Sequence, residues 1–172
     1  MRAELSGISS AALEIVASAT LAVETQGKGF TEITDHAARF LAEAEAQDGS
    51  LLLFIRHTSA SLVIQENADP DVRTDLAASL ARVAPEDAGW VHGVEGPDDM
   101  PAHVKTMLTD VCLHVPVRAG GMALGTWQGI YLAEHRTRPH RREVVLQFIG
   151  SRRATAGQPR ARTDRVPKSR GE

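Results

Sequence analysis

Six short extended segments, broken by turn residues, constrain what this chain can fold into more than any other feature. They cover residues 13–24, 51–57, 61–67, 111–117, 122–136 and 142–150. The segments are grouped around two or three helical patterns instead of alternating with them, which favours antiparallel pairing over repeated strand–helix–strand units. We therefore predict an α+β fold with mostly antiparallel sheets, in which the apolar run 51–57 is covered on both faces.

The helices are predicted from capping residues and apolar spacing. Asp35 caps a helix over 36–46 that stops at Gly49, and its apolar face is formed by Phe40, Leu41 and Ala44. Asp69 and Pro70 begin a second helix. Its apolar residues follow at helical spacing and predict a buried stripe of Val72, Leu76, Leu80 and Val83. A long loop and a short helix over 100–109 complete the pattern.

The composition indicates one cytoplasmic domain. A chain of 172 residues buries a sizeable core without disulfides, and its single Cys112 suits a reducing compartment. No apolar run approaches the roughly 20 residues of a membrane-spanning helix. We predict a single domain over 1–150 and a basic, disordered tail over 151–172, with no membrane partner.

The charge distribution argues against a nucleic-acid-binding domain. Residues 151–172 hold seven of the 19 basic side chains and two of the 22 acidic ones, so the rest of the chain is acidic. A nucleic-acid-binding domain concentrates positive charge on a folded face. We expect no nucleic-acid partner; the alternative, binding through the tail, predicts an affinity that falls steeply with salt.

Histidines are the main candidates for chemistry, although none of the seven lies in a tight metal signature and each has a structural or surface role as its alternative. His57 stands out because it ends a strand, where a neutral imidazole ligates zinc or moves protons. Glu66 ends the next segment and is a ligand, a general base or a solvated acid. Asp69 is sufficiently explained as a helix cap.

The stretch "HGVEGPDDMPAH" over 92–103 has two interpretations. It is either a mobile acidic loop or a lid that brings His92, Glu95 and His103 to the site of His57. Further along, Lys105 and Arg136 offer positive charge for a phosphate group. A serine nucleophile is not expected, because adjacent strand residues point to opposite faces and no G-x-S-x-G motif is present.

Three motifs occur in order: "HTSASLVIQENADPDVRTDL", then "HGVEGPDDMPAHVK", then "LGTWQGIYLAEHR" followed by "RRE". Together they strongly resemble the YjbQ family, and the likeness runs over residues 13–149. The resemblance implies a small cytoplasmic protein with sandwich-like sheets that forms a homotrimer. Some members of this family are named secondary thiamine-phosphate synthases. Gln65 departs from the family, which usually has Asn there, and the tail lies beyond the usual end of these proteins.

The resemblance also implies a site. His57, His92 and His103 would converge on one metal ion. Glu66 and Glu134 are motif positions, and we expect one or the other to act as the acid/base. The residues expected to bind substrate are Thr58, Ser59, Asn67, Lys105, Thr126, Trp127, Gln128 and Arg136. A histidine-rich set is softer than the oxygen ligands that Mg²⁺ prefers, so zinc or another transition metal is the expected cofactor.

These expectations combine into one functional hypothesis with one alternative. The hypothesis is a metal-site enzyme that acts on a small phosphorylated molecule, with secondary thiamine-phosphate synthase activity. That reaction would join a pyrimidine methyl diphosphate to a thiazole phosphate, and the departing diphosphate needs cationic stabilisation. The alternative is a non-catalytic protein that binds a small ligand or a metal for regulation.

Overall fold

A computed structural model describes residues 7–154 of the chain. In chain order the elements are β1 (Ile15–Glu24), β2 (Gly29–Glu32), α1 (Thr34–Glu43), β3 (Ala46–Ile55), β4 (Ala60–Glu66), α2 (Pro70–Val83), α3 (Asp99–Leu108), β5 (Cys112–Arg118), β6 (Gly121–Met122), β7 (Gln128–Glu134) and β8 (Arg141–Arg152). The predicted segment 122–136 is therefore divided, because residues 123–127 form a loop between β6 and β7.

The strands form two antiparallel sheets. One has the order β1-β8-β3-β5-β6 and the other the order β2-β7-β4. Apolar side chains from both sheets and from α1 meet in one core, which includes Leu41, Leu53, Leu62, Leu132 and Phe148. The predicted α+β fold with mostly antiparallel, sandwich-like sheets is confirmed.

Within one chain, only one face of β3 is covered, in contrast to the predicted strand with both faces covered. Leu51, Leu53 and Ile55 are buried, but Phe54 between the last two is 42% exposed. This alternation is the period-two pattern of a strand with one covered face. The sequence does not show this alternation, because the exposed residue Phe54 is apolar like its buried neighbours.

Helix α1 lies close to its predicted position but begins and ends differently. Its N-cap is Ile33, which makes no side-chain cap hydrogen bond, and Asp35 lies inside the first turn. The chain leaves the helix through Glu45, which has a positive φ of 53°. The predicted stop at Gly49 is wrong, since this glycine lies in β3, where a Cβ atom would meet the backbone of β8.

Helix α2 begins where the sequence predicts. The side chain of Asp69 accepts a hydrogen bond from the backbone N–H of Asp71 at 2.9 Å, and Pro70 is the first helical residue. The predicted stripe of buried residues is only partly buried. None of the α2 residues is fully buried, and Val83 is 60% exposed, because α2 packs against the short β2 at the outside of the smaller sheet.

The single domain over 1–150 stays a prediction, since residues 1–6 lie outside the described part of the chain. Strand β8 continues to Arg152, just beyond the expected boundary at 150. The predicted basic tail lies outside the described residues from 155 onward. Within residues 7–154, no helix is both long enough and apolar enough to cross a membrane.

Candidate metal centre

Two histidines and a carboxylate meet where α3 begins. His92 comes from the loop before α3, Asp99 is the first residue of that helix, and His103 follows one turn later on the same face. Potential ligand atoms of the three side chains lie within 4.8 Å of one another. The Asp99 Oδ2 atom is 2.8 Å from His92 Nε2 and 3.6 Å from His103 Nε2. Within residues 7–154, these three form the one group of His, Cys, Asp or Glu side chains close enough to share a metal ion.

The hydrogen bond of His103 prepares its ring for ligation. Its Nδ1 atom lies 2.9 Å from the backbone oxygen of Thr58, and a carbonyl only accepts, so Nδ1 carries the proton. In the neutral ring the lone pair then belongs to Nε2, the atom that faces Asp99 Oδ2. Metal-binding histidines commonly donate through one nitrogen to a backbone carbonyl and ligate through the other. The Nε2 lone pair of His103 and the carboxylate oxygen of Asp99, 3.6 Å apart, would both be stabilised by a cation between them.

Asp99 is held in place by Arg136. Only 2% of Asp99 is exposed, and its Oδ1 atom accepts a hydrogen bond from Arg136 Nη1. The same guanidinium donates to Asp98 at 3.3 Å and to the backbone oxygen of Glu95 at 2.8 Å. Burial alone would lower the pKa of Arg136, but the two aspartates raise it. Arg136 therefore connects the loop before α3 to the start of that helix. To bind substrate as predicted, Arg136 would have to exchange some of these hydrogen bonds for bonds to the substrate.

His57 lies outside the group of potential ligands. Its Nδ1 accepts a hydrogen bond from the backbone N–H of Ser59 at 3.1 Å, so the proton of the neutral ring is on Nε2. Burial, followed by the charge of Arg142, lowers the pKa of His57 and favours this neutral ring. His57 thus presents a donor where a ligand needs a lone pair. Its predicted ligation stays a prediction that requires the ring to change its hydrogen bonds.

The Glu134 carboxylate is occupied by a buried ion pair. Arg142 donates to both oxygens at 2.7 Å, and the two side chains are each only 1% exposed. Thr25 and the backbone N–H of Arg136 complete the contacts of the carboxylate at 2.9 and 3.0 Å. Burial would raise the pKa of Glu134, but these hydrogen bonds lower it overall. In this conformation Glu134 stabilises the end of the core, and its role in proton transfer stays a prediction.

The remaining motif residues divide into two groups at opposite ends of β4 and β7. Near Ala60, which pairs with Glu134, lie the metal centre and the loop of His57. At the other end, Glu66 pairs with Gln128, and the backbone N–H of Asn67 donates to the Trp127 oxygen. A strand rises about 3.3 Å per residue, so the two ends of β4 are about 20 Å apart. Residues at this second end are Glu66, Asn67, Thr126, Trp127 and Gln128.

Among the predicted substrate-binding residues near the metal centre, Thr58 and Ser59 have structural contacts. Thr58 provides the carbonyl that His103 contacts. The Ser59 hydroxyl lies 3.1 Å from His57 Nδ1 and accepts a hydrogen bond from Arg142 at 3.3 Å. These contacts connect the loop after β3 to the metal centre and to the buried ion pair.

Lys105 is directed away from the metal centre. It follows His103 by two positions on α3, and residues at that spacing do not share a helix face. It lines a separate cleft together with His135, to which the sequence analysis assigned no role. Burial lowers the pKa of Lys105, and the charge of Lys28 adds to this effect. Burial also lowers the pKa of His135 to about 4, and its Nε2 lies 2.8 Å from the Ser61 hydroxyl.

Asp99 is the residue of the candidate metal centre that was not predicted from the sequence. A usable signal was present, since Asp99 stands four residues before His103 and directly before the predicted helix. The helix was predicted to begin at residue 100, which left Asp99 in the loop. The correct start at Asp99 places both side chains on one helical face.

Comparisons with known proteins agree with the motifs. A family model described as UPF0047 protein YjbQ-like matches residues 19–151. A UPF0047 protein of Synechocystis is 47% identical over 131 residues, which are 76% of this chain and 89% of that protein. The UPF0047 protein YjbQ of Salmonella typhimurium is 40% identical over 132 residues, which are 76% and 96% of the two chains.

A solved structure agrees as well. The crystal structure of an uncharacterized conserved YjbQ/UPF0047 family protein from Clostridium acetobutylicum matches with a TM-score of 0.71 at 34% identity. The match covers 76% of this chain and 98% of that one. The descriptions of these three relatives name a family and no reaction, so thiamine-phosphate synthase activity stays a prediction. The matched residues contain all three motifs of the sequence analysis, and the chain belongs to the YjbQ/UPF0047 family.

Proposed function

We propose that this protein is a metal-dependent enzyme that acts on a small phosphorylated substrate, with the metal bound by His92, Asp99 and His103. The observation that carries the proposal is the approach of their ligand atoms to within 4.8 Å. Two histidines with one carboxylate form a ligand set of catalytic zinc sites, which keep a further position open. The residues fit zinc or another transition metal better than Mg²⁺, which prefers oxygen ligands.

The surroundings of the three residues support a site that a substrate reaches. The His92 side chain is 48% exposed and that of His103 is 33% exposed, whereas Asp99 is buried. A cleft of about 590 Å³ lies alongside, lined by Asp98, Arg136, Arg138 and His140 among others. That volume is within the usual range for small-molecule sites. Arg138 is the cationic group that we assign to the phosphate of the substrate.

The chain supplies positioning and hydrogen bonds in the proposed reaction. A bound divalent metal would polarise a phosphoryl oxygen and stabilise the charge that develops on it. Arg136 keeps Asp99 oriented, and Thr58 keeps the His103 Nε2 lone pair directed toward the ion. His57 presents an Nε2–H group, and we assign to it a hydrogen bond to the oxygen of the leaving group, which its neutral ring donates without losing the proton. The acid–base roles expected of Glu66 and Glu134 would require contacts different from those described above.

Metal content is the first test. Protein purified without added metal, or reconstituted with zinc, is analysed by inductively coupled plasma mass spectrometry. We expect about one equivalent for the unchanged protein and for His36→Ala, an exposed histidine on α1. His103→Ala and Asp99→Asn should lose most of the metal. Equal metal content in all four proteins, or none in any of them, would disprove the site.

Turnover is the second test and separates the enzyme from its alternative. Metal-loaded protein is assayed with a panel of phosphoesters, and separately with the two thiamine-phosphate precursors. We expect turnover of at least one phosphoester, lost in His103→Ala and His57→Ala but retained in His36→Ala. A protein that binds metal and is stabilised by phosphorylated ligands, yet forms no product, would instead be the regulatory binder.

The homotrimer is also a proposal, and an exposed apolar surface supports it. One face of the larger sheet presents Val16, Phe54 and Ile149, which are 66%, 42% and 38% exposed. Val16 pairs with Ile149 across β1 and β8, and Phe54 lies on the same face of the sheet, opposite Val145. The three exposed side chains therefore give this face an apolar patch. We assign this patch to contacts between subunits. Light scattering should give three times the chain mass, and Val16→Lys with Ile149→Lys should give one chain mass at the same concentration.

A further inference from the structure

A second, separate cleft contains a buried lysine without a counter-ion. Lys105 is only 5% exposed, although it is a charged residue on a helix. Within residues 7–154, its ammonium forms no hydrogen bond and no ion pair. Burial and then the charge of Lys28 lower its pKa, against the charges of Glu86 and Asp98, which raise it. Buried lysines are normally paired, because removing an ammonium from water without a partner is costly. This unpaired charge faces a cleft of about 100 Å³.

The other walls of the cleft are mainly apolar. Phe30, Leu80 and Ala133 line it from β2, α2 and β7. Lys28 also borders the cleft, but its ammonium is paired with Glu86. Glu134 does not neutralise Lys105, because both of its oxygens are bound by Arg142. The cleft therefore combines one uncompensated positive charge with an apolar lining.

The small number of donors decides which anion fits. A phosphate dianion has three or four oxygens that need several donors once they leave water. This cleft offers the Lys105 ammonium, the neutral His135 imidazole and, at its border, the Lys28 ammonium, which Glu86 already neutralises. A monocarboxylate concentrates one charge on two oxygens and leaves an alkyl group for the apolar walls. A cavity of about 150 Å³ holds a six-carbon ring, so this one accommodates about four or five non-hydrogen atoms. Acetate and propionate have this size.

We propose that the cleft between α2, α3 and β7 binds a short-chain monocarboxylate, with its carboxylate on Lys105 and its alkyl group against Phe30 and Leu80. The site is distinct from the metal centre and does not depend on the function proposed for it. His103 and Lys105 lie on different faces of α3, so the two sites occupy different sides of one helix. A carboxylate group of a larger ligand would use the same contacts only if the rest of that ligand extended out through the mouth of the cleft.

Titration with propionate tests the proposal on the full chain. Calorimetry and thermal unfolding are carried out at constant ionic strength, with propionamide as the uncharged isostere and inorganic phosphate as the alternative anion. We expect saturable binding of propionate, weaker binding of acetate, and no binding of propionamide. In ¹H–¹³C spectra, the methyl signals of Ala77 and Ala133 should move with propionate. An absence of saturable binding overturns the proposal, and tighter binding of phosphate overturns the carboxylate assignment.

The Lys105→Met variant assigns the binding to Lys105. It keeps the length of the side chain and removes the charge, so we expect propionate to bind about tenfold to hundredfold more weakly. The unliganded variant should unfold at the same or a higher temperature, because an unpaired buried charge has been removed. Lys28→Met is the matched control and should retain most of the affinity, because Glu86 already neutralises Lys28. Equal affinity of the unchanged protein and Lys105→Met would disprove the assignment. If Lys105→Met does not fold, Lys105→Gln and the methyl shifts of the unchanged protein decide the question.

Discussion

The Nδ1 atom of His103 donates a hydrogen bond to the backbone oxygen of Thr58 across 2.9 Å. This bond joins α3, which carries two of the proposed ligands, to the loop after β3, which carries His57. It also determines which nitrogen of His103 is free to bind a metal. The neighbouring histidine has the opposite arrangement, since Nδ1 of His57 accepts from the backbone N–H of Ser59. Two histidines that the motifs suggest to be equivalent are therefore prepared for different chemistry.

The two tautomers are directly measurable. Long-range ¹H–¹⁵N spectra of metal-free protein at a pH where both rings are neutral should show the proton on Nδ1 of His103 and on Nε2 of His57. Added zinc should shift the Nε2 signals of His92 and His103 and leave the tautomer of His57 unchanged. A proton on Nδ1 of His57, or loss of its Nε2–H on zinc addition, would instead place His57 among the ligands.

The fold was largely predictable because its determinants are local. Period-two and helical spacing, together with the cap at Asp69, identify most elements within a few residues. The errors arose where a residue's surroundings decide its burial. Phe54 is apolar but lies on the uncovered face of β3, and Val83 has helical spacing on a helix that packs only at the outside of a sheet. Spacing identifies a face but does not establish whether another element covers it.

The site was less predictable because it depends on contacts between distant segments. His92 and Asp99 are seven positions apart, but their approach depends on the path of an irregular loop. Arg136 contacts Asp99 across 37 positions, so its pairing with a carboxylate was not visible in the motif. Glu66 and Glu134 belong to motifs of the same family, yet β4 separates them by its full length. Motif membership therefore identified the right segments and did not specify which side chains meet.

The N-cap of α2 should contribute modestly to stability. Asp69→Ala removes the acceptor for the Asp71 N–H and should lower the free energy of unfolding by about 1 kcal/mol, whereas Asp69→Asn should retain most of the cap. Urea unfolding followed by circular dichroism measures both. Metal content should be the same in all three proteins, because the cap does not contact the metal centre. A loss of metal in Asp69→Asn would give Asp69 a role beyond capping.

The buried pair of Glu134 and Arg142 should be far more important for stability than any surface pair. Glu134→Gln leaves the Arg142 guanidinium buried without its counter-ion, so the free energy of unfolding should fall by about 3–5 kcal/mol. The matched control is Arg39→Gln, which breaks the exposed Arg39–Glu43 pair on α1 and should cost less than about 0.5 kcal/mol. If Glu134→Gln lowers the free energy of unfolding no more than Arg39→Gln does, the buried pair is not needed for stability.

The same pair predicts a pH dependence. The pKa of Glu134 is lowered in the folded protein, so its contribution is fully present above the ordinary carboxyl value of 4.5 and disappears as the pH falls through the lower folded value. Urea unfolding below pH 4.5 should therefore show a loss of stability that is smaller in Glu134→Gln. An unchanged loss in the variant would assign the acid sensitivity to other carboxylates.

His135 predicts a second pH dependence, at higher pH and from the opposite type of group. Its folded pKa is about 4, against an ordinary value of 6.5, so between these values the unfolded chain binds a proton that the folded chain does not. Stability should be fully present above pH 6.5 and fall as the pH decreases toward 4, by up to about 3 kcal/mol. Urea unfolding at pH 7.5, 6, 5 and 4 is compared with that of His135→Gln, which does not titrate in this window. His114→Gln, which removes an exposed histidine of β5, controls for general effects of losing an imidazole. The slope should be retained in that control and reduced in His135→Gln; identical slopes in the two variants would mean that His135 is not held neutral by burial.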